Sequence, residues 1–241
     1  MIRKILRRGL TVLALAALPL LGGTVPAGAI GVPAAAPAGV ASTTAVRVAG
    51  PLTLSDAVAL LPIADEHRDG YDRSLYRHWN RGLDLGDGCS TRAEVILSEA
   101  VVAPEVAPPG CKLVGGEWYS YYDGVTVTSA SGLDVDHIVP LAEVHDSGGY
   151  AWNAGRREAY ANDQGSPLTL VAVTAKSNRS KADKDPAEWL PPLAEVHCRY
   201  AAEWVSTKLR WTLAADPAEA GALAGIAQRC PTTTVEYELA A

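Results

Sequence analysis

Four cysteines, Cys89, Cys111, Cys198 and Cys230, constrain this chain more than any other feature of its sequence. None lies in a Cys-x-x-Cys pair, so a zinc knuckle is disfavoured. What they form instead depends on the compartment, and the opening of the chain bears on that. Met1 to Arg8 carries Arg3, Lys4, Arg7 and Arg8 and no acid, and the apolar run Leu10 to Leu21 follows. Ala27-Gly28-Ala29 then supplies small residues of the A-x-A kind. This is the order of a secretory signal peptide, with cleavage expected after Ala29. The run is too short to span a bilayer, so no stable membrane association is expected after cleavage. In an exported chain an even number of cysteines reads as disulfides. Three pairings are possible. The sequence-local one, Cys89–Cys111 with Cys198–Cys230, is the expectation.

Residues 30–50 are mostly Ala, Pro, Gly, Val, Ser and Thr with a single charge, Arg47, and read as a linker. Beyond it, a composition of 48% hydrophobic and 20% charged residues is that of a chain burying a core. The formal charge of −6 falls to −10 once the leader's four bases are removed. A general polyanion binder is thereby disfavoured, because such modules carry a basic face. A local basic field can still recruit a phosphate.

Periodicity predicts a helix over Leu54 to Glu66, a short helix over Asp72 to Trp79, a helix or loop over Trp152 to Asn162 and a long amphipathic helix over Leu193 to Trp211. Asp216-Pro217 opens a last helix, with Asp at the cap and Pro in the first turn. The runs Glu117 to Tyr122 and Val125 to Thr128, split by Asp123-Gly124, signal a hairpin. Leu133 to Val139 and Leu168 to Val173 are further strand candidates. Together these predict an α+β fold with small antiparallel β elements and flanking helices. The turn-rich Gly82 to Cys89 loop invites a calcium reading. That fails, because Leu83 and Leu85 would fall at ligand positions.

Asp134-Val135-Asp136-His137-Ile138-Val139-Pro140-Leu141 sets an acid beside an imidazole at the end of an apolar strand. Neighbours on a strand point to opposite faces, but at its end the backbone can turn both toward one centre. A carboxylate suits a hard divalent cation, and a neutral imidazole suits proton abstraction. Some way on, Ser177-Asn178-Arg179-Ser180-Lys181 opens a polar, basic helix directly after the second strand candidate.

These blocks, with Ala161-Asn162-Asp163, Leu168-Thr169-Leu170-Val171 and Glu188-Trp189, resemble the HNH endonuclease family. The nearest likeness is to its secreted branch, related to the C-terminal nuclease domain of GmrSD-type restriction enzymes. Cys89 to Val95 and Cys198-Arg199-Tyr200 also fit that branch. The resemblance implies a ββα-metal core at 133–190 within one nuclease domain over 51–241. It implies His137 as general base and one divalent cation, Mg²⁺ or Mn²⁺, held by Asp136 and Asn178. Lys181 would meet substrate phosphate, and DNA, or RNA, would be the substrate; Arg157, between the motif blocks, is read either as a further phosphate or metal contact or as a solvated helix residue. Pro167 stands where relatives place a middle Asn just before the second strand. That orienting role passes in this reading to Asn162, counted with His137 in the catalytic set. The protein is then a secreted hydrolase of phosphodiester bonds. A secreted, non-catalytic domain that binds nucleic acid or protein on a nuclease scaffold is the alternative reading.

Glu143 is read either as a metal or phosphate contact or as a solvated helix residue. Arg156, Arg157, Lys176, Arg179, Lys181 and Lys184 are expected to gather around the metal. His145 is expected to be exposed, and His67, His78 and His197 are assigned no role. The tryptophans Trp118, Trp189, Trp204 and Trp211 are expected to serve as core bulk in a chain without phenylalanine.

Overall fold

Prolines and tertiary pairing set the element lengths. A computed structural model describes residues 51–108 and 110–241. The expected signal peptide and linker lie outside the described residues. In chain order the elements are β1 (Leu52–Thr53), α1 (Leu54–Ala59), α2 (Thr91–Ser98), β2 (Ala100–Val102), β3 (Glu105–Ala107), β4 (Lys112–Val114), β5 (Glu117–Ser120), β6 (Val125–Val127) and β7 (Leu133–His137). They continue with α3 (Leu141–Asp146), α4 (Ala154–Ala161), β8 (Leu170–Thr174), α5 (Ala175–Lys181), α6 (His197–Trp211), α7 (Pro217–Arg229) and β9 (Thr234–Val235).

All strand pairing is antiparallel and in small sheets: β1 with β9, β2–β5–β6, β3 with β4, and β7 with β8. The fold is therefore α+β, as expected. Two predicted helices are shorter than the periodicity suggested. α1 stops at Ala59 because Pro62 lies just ahead, and a residue before proline is biased out of the α region. The Asp72 to Trp79 stretch holds only a 3₁₀ turn, Arg73–Leu75, with Asp72 capping Ser74 N at 2.8 Å. The hairpin is β5–β6, joined through Asp123-Gly124, with Gly124 at φ 69°. α7 starts as predicted, Asp216 accepting from Ala218 and Glu219 N–H groups.

Both disulfides take the sequence-local pairing, Cys89–Cys111 and Cys198–Cys230. The second clamps the start of α6 to the end of α7. Such bonds persist in oxidising compartments. Among the described residues no helix is long and apolar enough to cross a membrane.

The β7–β8 ribbon separates two apolar clusters, and its alternation explains both. Leu133, Val135, Leu170 and Ala172 pack with Trp118, Val95 and Ile96, under α2. Val171 and Val173 face Tyr122, Tyr200 and Trp204, on the α6 side. Trp118, Trp204 and Trp211 are buried and Trp189 packs partly buried against them, so they are core bulk as expected. The core also holds a charged cluster. Lys208 is fully buried and donates to Glu143 at 2.7 Å, Glu219 at 2.5 Å, Ser147 at 2.9 Å and the Ala214 carbonyl at 2.7 Å. Glu143 is thus a buried partner of Lys208 rather than a solvated residue.

Candidate functional site

The ββα unit is assembled by the hairpin turn. Ser120 Oγ accepts from Thr174 N at 3.0 Å at the end of β8. Asp123 Oδ2 accepts from the hydroxyls of Thr174, at 2.5 Å, and Ser177, at 2.8 Å. Thr174 is also the cap of α5, accepting from Ser177 N. These bonds fix the direction in which α5 leaves the sheet and bring Asn178 beside β7. There Asn178 Nδ2 donates to Asp134 Oδ2 at 3.2 Å.

Asp136, His137 and Asn178 line one cleft of about 390 Å³, with Tyr71, Arg73 and Arg179 on its rim. Asp136 and His137 sit at the end of β7, register partners of Val171 and Leu170. Both are 5% exposed. Asp136 Oδ2 accepts from Tyr122 Oη at 2.6 Å and Lys181 Nζ at 2.5 Å. Its Oδ1 has no hydrogen-bond partner among the described residues, so one carboxylate oxygen is held and the other is free. Burial pushes the Asp136 carboxyl up, the Asp134 carboxylate adds to this, and the Lys181 ammonium and Tyr122 hydroxyl oppose it.

His137 Nε2 lies 3.0 Å from the Ala161 carbonyl oxygen. A carbonyl only accepts, so Nε2 carries the hydrogen and Nδ1 keeps its lone pair. Nδ1 has no partner among the described residues. The ring is stacked on Trp79 at 5.3 Å and Tyr160 at 6.0 Å, and meets His78 edge-on at 6.2 Å. Burial pushes its pKa down to about 3, so the imidazole is neutral. Trp79 holds its place at φ 61°, a left-handed conformation costly for a bulky side chain. Such strain costs on the order of 1–3 kcal/mol and persists only where surrounding contacts over-determine the backbone.

Those contacts come largely from Asn162. Its Nδ2 donates to the carbonyls of Arg77 at 2.9 Å and Glu158 at 2.8 Å, and its Oδ1 accepts from Asn80 N at 2.9 Å. Asn162 does not touch the imidazole. It pins the 77–80 segment that carries His78 and Trp79, while its neighbour Ala161 holds Nε2. Expected in the catalytic set with His137, it bonds through its side chain, among the described residues, to backbone groups alone. Sequence reasoning missed Trp79 and His78 because their partners lie far downstream.

Several expected phosphate contacts lie elsewhere. Lys181 is fully buried, its ammonium donating to Asp136 and to the His137 carbonyl at 2.8 Å. On α5 it shares the inward face with Ser177, four residues back, so it cannot meet a phosphate in solvent. Arg157 lies over the Tyr76 ring at 5.9 Å and donates to the Gly149 carbonyl, away from the cleft lining. Arg156 stacks between Trp152 and Trp211. Of the six expected bases only Arg179 borders the cleft. His145, expected to be exposed, is buried against Tyr71 and Tyr76. Two carboxylate trios, Glu66 with Glu143 and Asp146, and Glu66 with Asp185 and Asp216, lie outside the cleft lining. In the first, Lys208 and Arg68 already pair with Glu143 and Asp146.

Known proteins are similar to this chain in sequence. A family model described as GmrSD restriction endonucleases, C-terminal domain, matches residues 110–226, which include the whole β7–β8–α5 unit. An uncharacterized secreted protein of Arthroderma benhamiae is 36% identical over 164 residues, covering 68% of this chain and 77% of that protein. No solved structure matches. The chain belongs to the family of the GmrSD restriction endonuclease C-terminal domain.

Proposed function

We propose that this protein is a secreted, metal-dependent HNH-type endonuclease that hydrolyses phosphodiester bonds of DNA or RNA in the cleft between β7 and α5. The observation that carries this reading is the state of His137. Its Nε2 is committed to the Ala161 carbonyl and its neutral Nδ1 is unpartnered in a cleft shared with Asp136 and Asn178. A fixed, neutral imidazole with one free lone pair can accept a proton from a water in the cleft. His137 Nδ1 takes the proton from the attacking water, and the stacked rings of Trp79 and Tyr160 keep the imidazole aimed.

Asp136 and Asn178 would hold one divalent cation, Mg²⁺ or Mn²⁺. The donor set fits: each residue keeps a side-chain oxygen without a hydrogen-bond partner among the described residues, and hard cations take oxygen ligands. Such a cation supplies positive charge for the phosphate and for the leaving oxygen. Lys181 and Tyr122 fix the other oxygen of Asp136, so the carboxylate turns only one edge to the cleft. The antiparallel pair followed by a helix supports a ββα-metal core inside one nuclease domain over 51–241. Export is supported by the leader, by the two disulfides and by the relative's description as secreted.

Manganese binding tests the ligand set. Electron paramagnetic resonance titration of Mn²⁺ is expected to show one site, weakened about tenfold or more in Asn178→Ala. Equal affinity in the two proteins would remove Asn178 from the metal. The Lys181–Asp136 pair favours the second reading, a secreted non-catalytic binding domain, since that carboxylate already has a cation beside it. A wild-type protein that binds no Mn²⁺ would select it.

A further inference from the structure

The segment upstream of the family-matched stretch does more than cover His137. Arg73, on the rim of the cleft, also lines a second groove of about 460 Å³ with Ser74, Tyr76, Arg77 and His78. Arg73 thus borders both depressions. No carboxylate lines the second groove. Arg73 has no ion pair among the described residues. The Arg77 side chain is 77% exposed and approaches a carboxylate only at 3.9 Å, that of Glu158, which Asn80 Nδ2 already holds at 2.6 Å. In a chain of net charge −6, this is a local concentration of weakly paired positive charge beside the cleft.

The groove is also rigidly aligned with the site. At one end Arg68 ties the segment to α3 through Asp146 and to the end of α5 through Asp183, at 2.6 and 2.9 Å. At the other end Asn162 holds the Arg77 carbonyl and Asn80 N, and Trp79 stacks on His137. A strand laid along it would meet guanidinium groups carried on an anchored backbone.

We propose that the Arg73–Arg77–His78 groove is the path of the nucleic-acid strand beyond the scissile bond, gripping its sugar–phosphate backbone. This rests on the nuclease reading of the cleft. The guanidinium groups offer donors to phosphate oxygens and read no base edge, so the grip is independent of sequence. It also answers the charge objection raised by the acidic composition. The protein as a whole repels a polyanion, and the track supplies attraction only where the strand must lie.

The test is fluorescence anisotropy with a labelled single-stranded oligonucleotide, the full chain and EDTA present, so that binding is read without cleavage. Arg77→Gln is expected to weaken binding several-fold and to reduce the slope of log K against log salt by about 0.7, the share of one phosphate contact on a single strand. Arg77→Lys should keep most of the slope, and Arg229→Gln, on the far end of α7, should match the unsubstituted protein. Thermal melting of each variant checks that folding is retained. An unchanged affinity and slope in Arg77→Gln, or no binding by the unsubstituted protein, overturns the track. If Arg77→Gln loses binding while the unsubstituted protein cuts nothing in Mg²⁺ or Mn²⁺, the track stands and the nuclease reading fails. If cleavage is normal and Arg77→Gln binds normally, the reverse holds.

Discussion

Replacing His137 with alanine is expected to lower the rate of phosphodiester cleavage by about 10²- to 10⁴-fold, the range that a positioned general base contributes. The KM for an oligonucleotide should move far less, because the imidazole acts on water and not on the substrate backbone. The expectation follows from how completely the ring is constrained. Nε2 is tied to Ala161, the faces are covered by Trp79 and Tyr160, and Nδ1 alone remains for chemistry. No other imidazole can substitute: His145 is buried with Nε2 on the Asp69 carbonyl, and His78 does not line the cleft. Steady-state kinetics on one oligonucleotide, with melting curves to establish folding, check it. A His137→Ala protein with wild-type kcat would remove the base from the mechanism.

The largest effect on stability is expected at Lys208. Lys208→Met keeps most of the side-chain volume but leaves Glu143 and Glu219 facing each other without their shared cation. Breaking a buried ion pair from one side costs about 3–5 kcal/mol, read from the denaturant midpoint. The loss should depend on pH in a defined direction. Burial raises the Glu219 carboxyl to about 7, above its ordinary value of 4.5, so the folded protein binds this proton more tightly than the unfolded chain does. Stability from that group is fully present below pH 4.5 and is lost as pH rises toward 7. The variant, lacking the opposing ammonium, should therefore be hurt less at pH 5 than at pH 8. Adding Glu219→Gln to Lys208→Met should recover part of the loss, since it removes one stranded charge. A Lys208→Met protein as stable as wild type at pH 8 would mean the cluster contributes nothing.

Local pattern carried a good part of this structure. The hairpin at 117–127 and the strands at 133 and 170 were legible because β-branched and aromatic runs met turn residues, and Asp216-Pro217 marked its helix directly. That Asp136, His137 and Asn178 line one cleft was legible from the acid–imidazole pair at a strand end and from the family resemblance that singled out Asn178. What escaped was everything decided by distant partners. Lys181 reads as a solvated base until Asp136, far upstream, is known to face it across a core. The 72–79 stretch reads as a helix, yet Arg68, Asn162 and the stacking on His137 hold it in an irregular path. Gly82 reads only as part of a turn-rich loop, whereas a Cβ there would lie 1.9 Å from the carboxyl carbon of Glu94, which caps the loop through Leu83 and Asp84. No periodicity in a single segment records such contacts.

The central claim is that the β7–α5 cleft is a metal-dependent phosphodiesterase site. Incubation of the purified protein with supercoiled plasmid and with RNA, in Mg²⁺, in Mn²⁺ and in EDTA, tests it most directly. Nicked or degraded nucleic acid is expected with at least one of the two cations, and intact nucleic acid in EDTA. Undiminished cleavage in EDTA, or intact DNA and RNA under every condition, would contradict it.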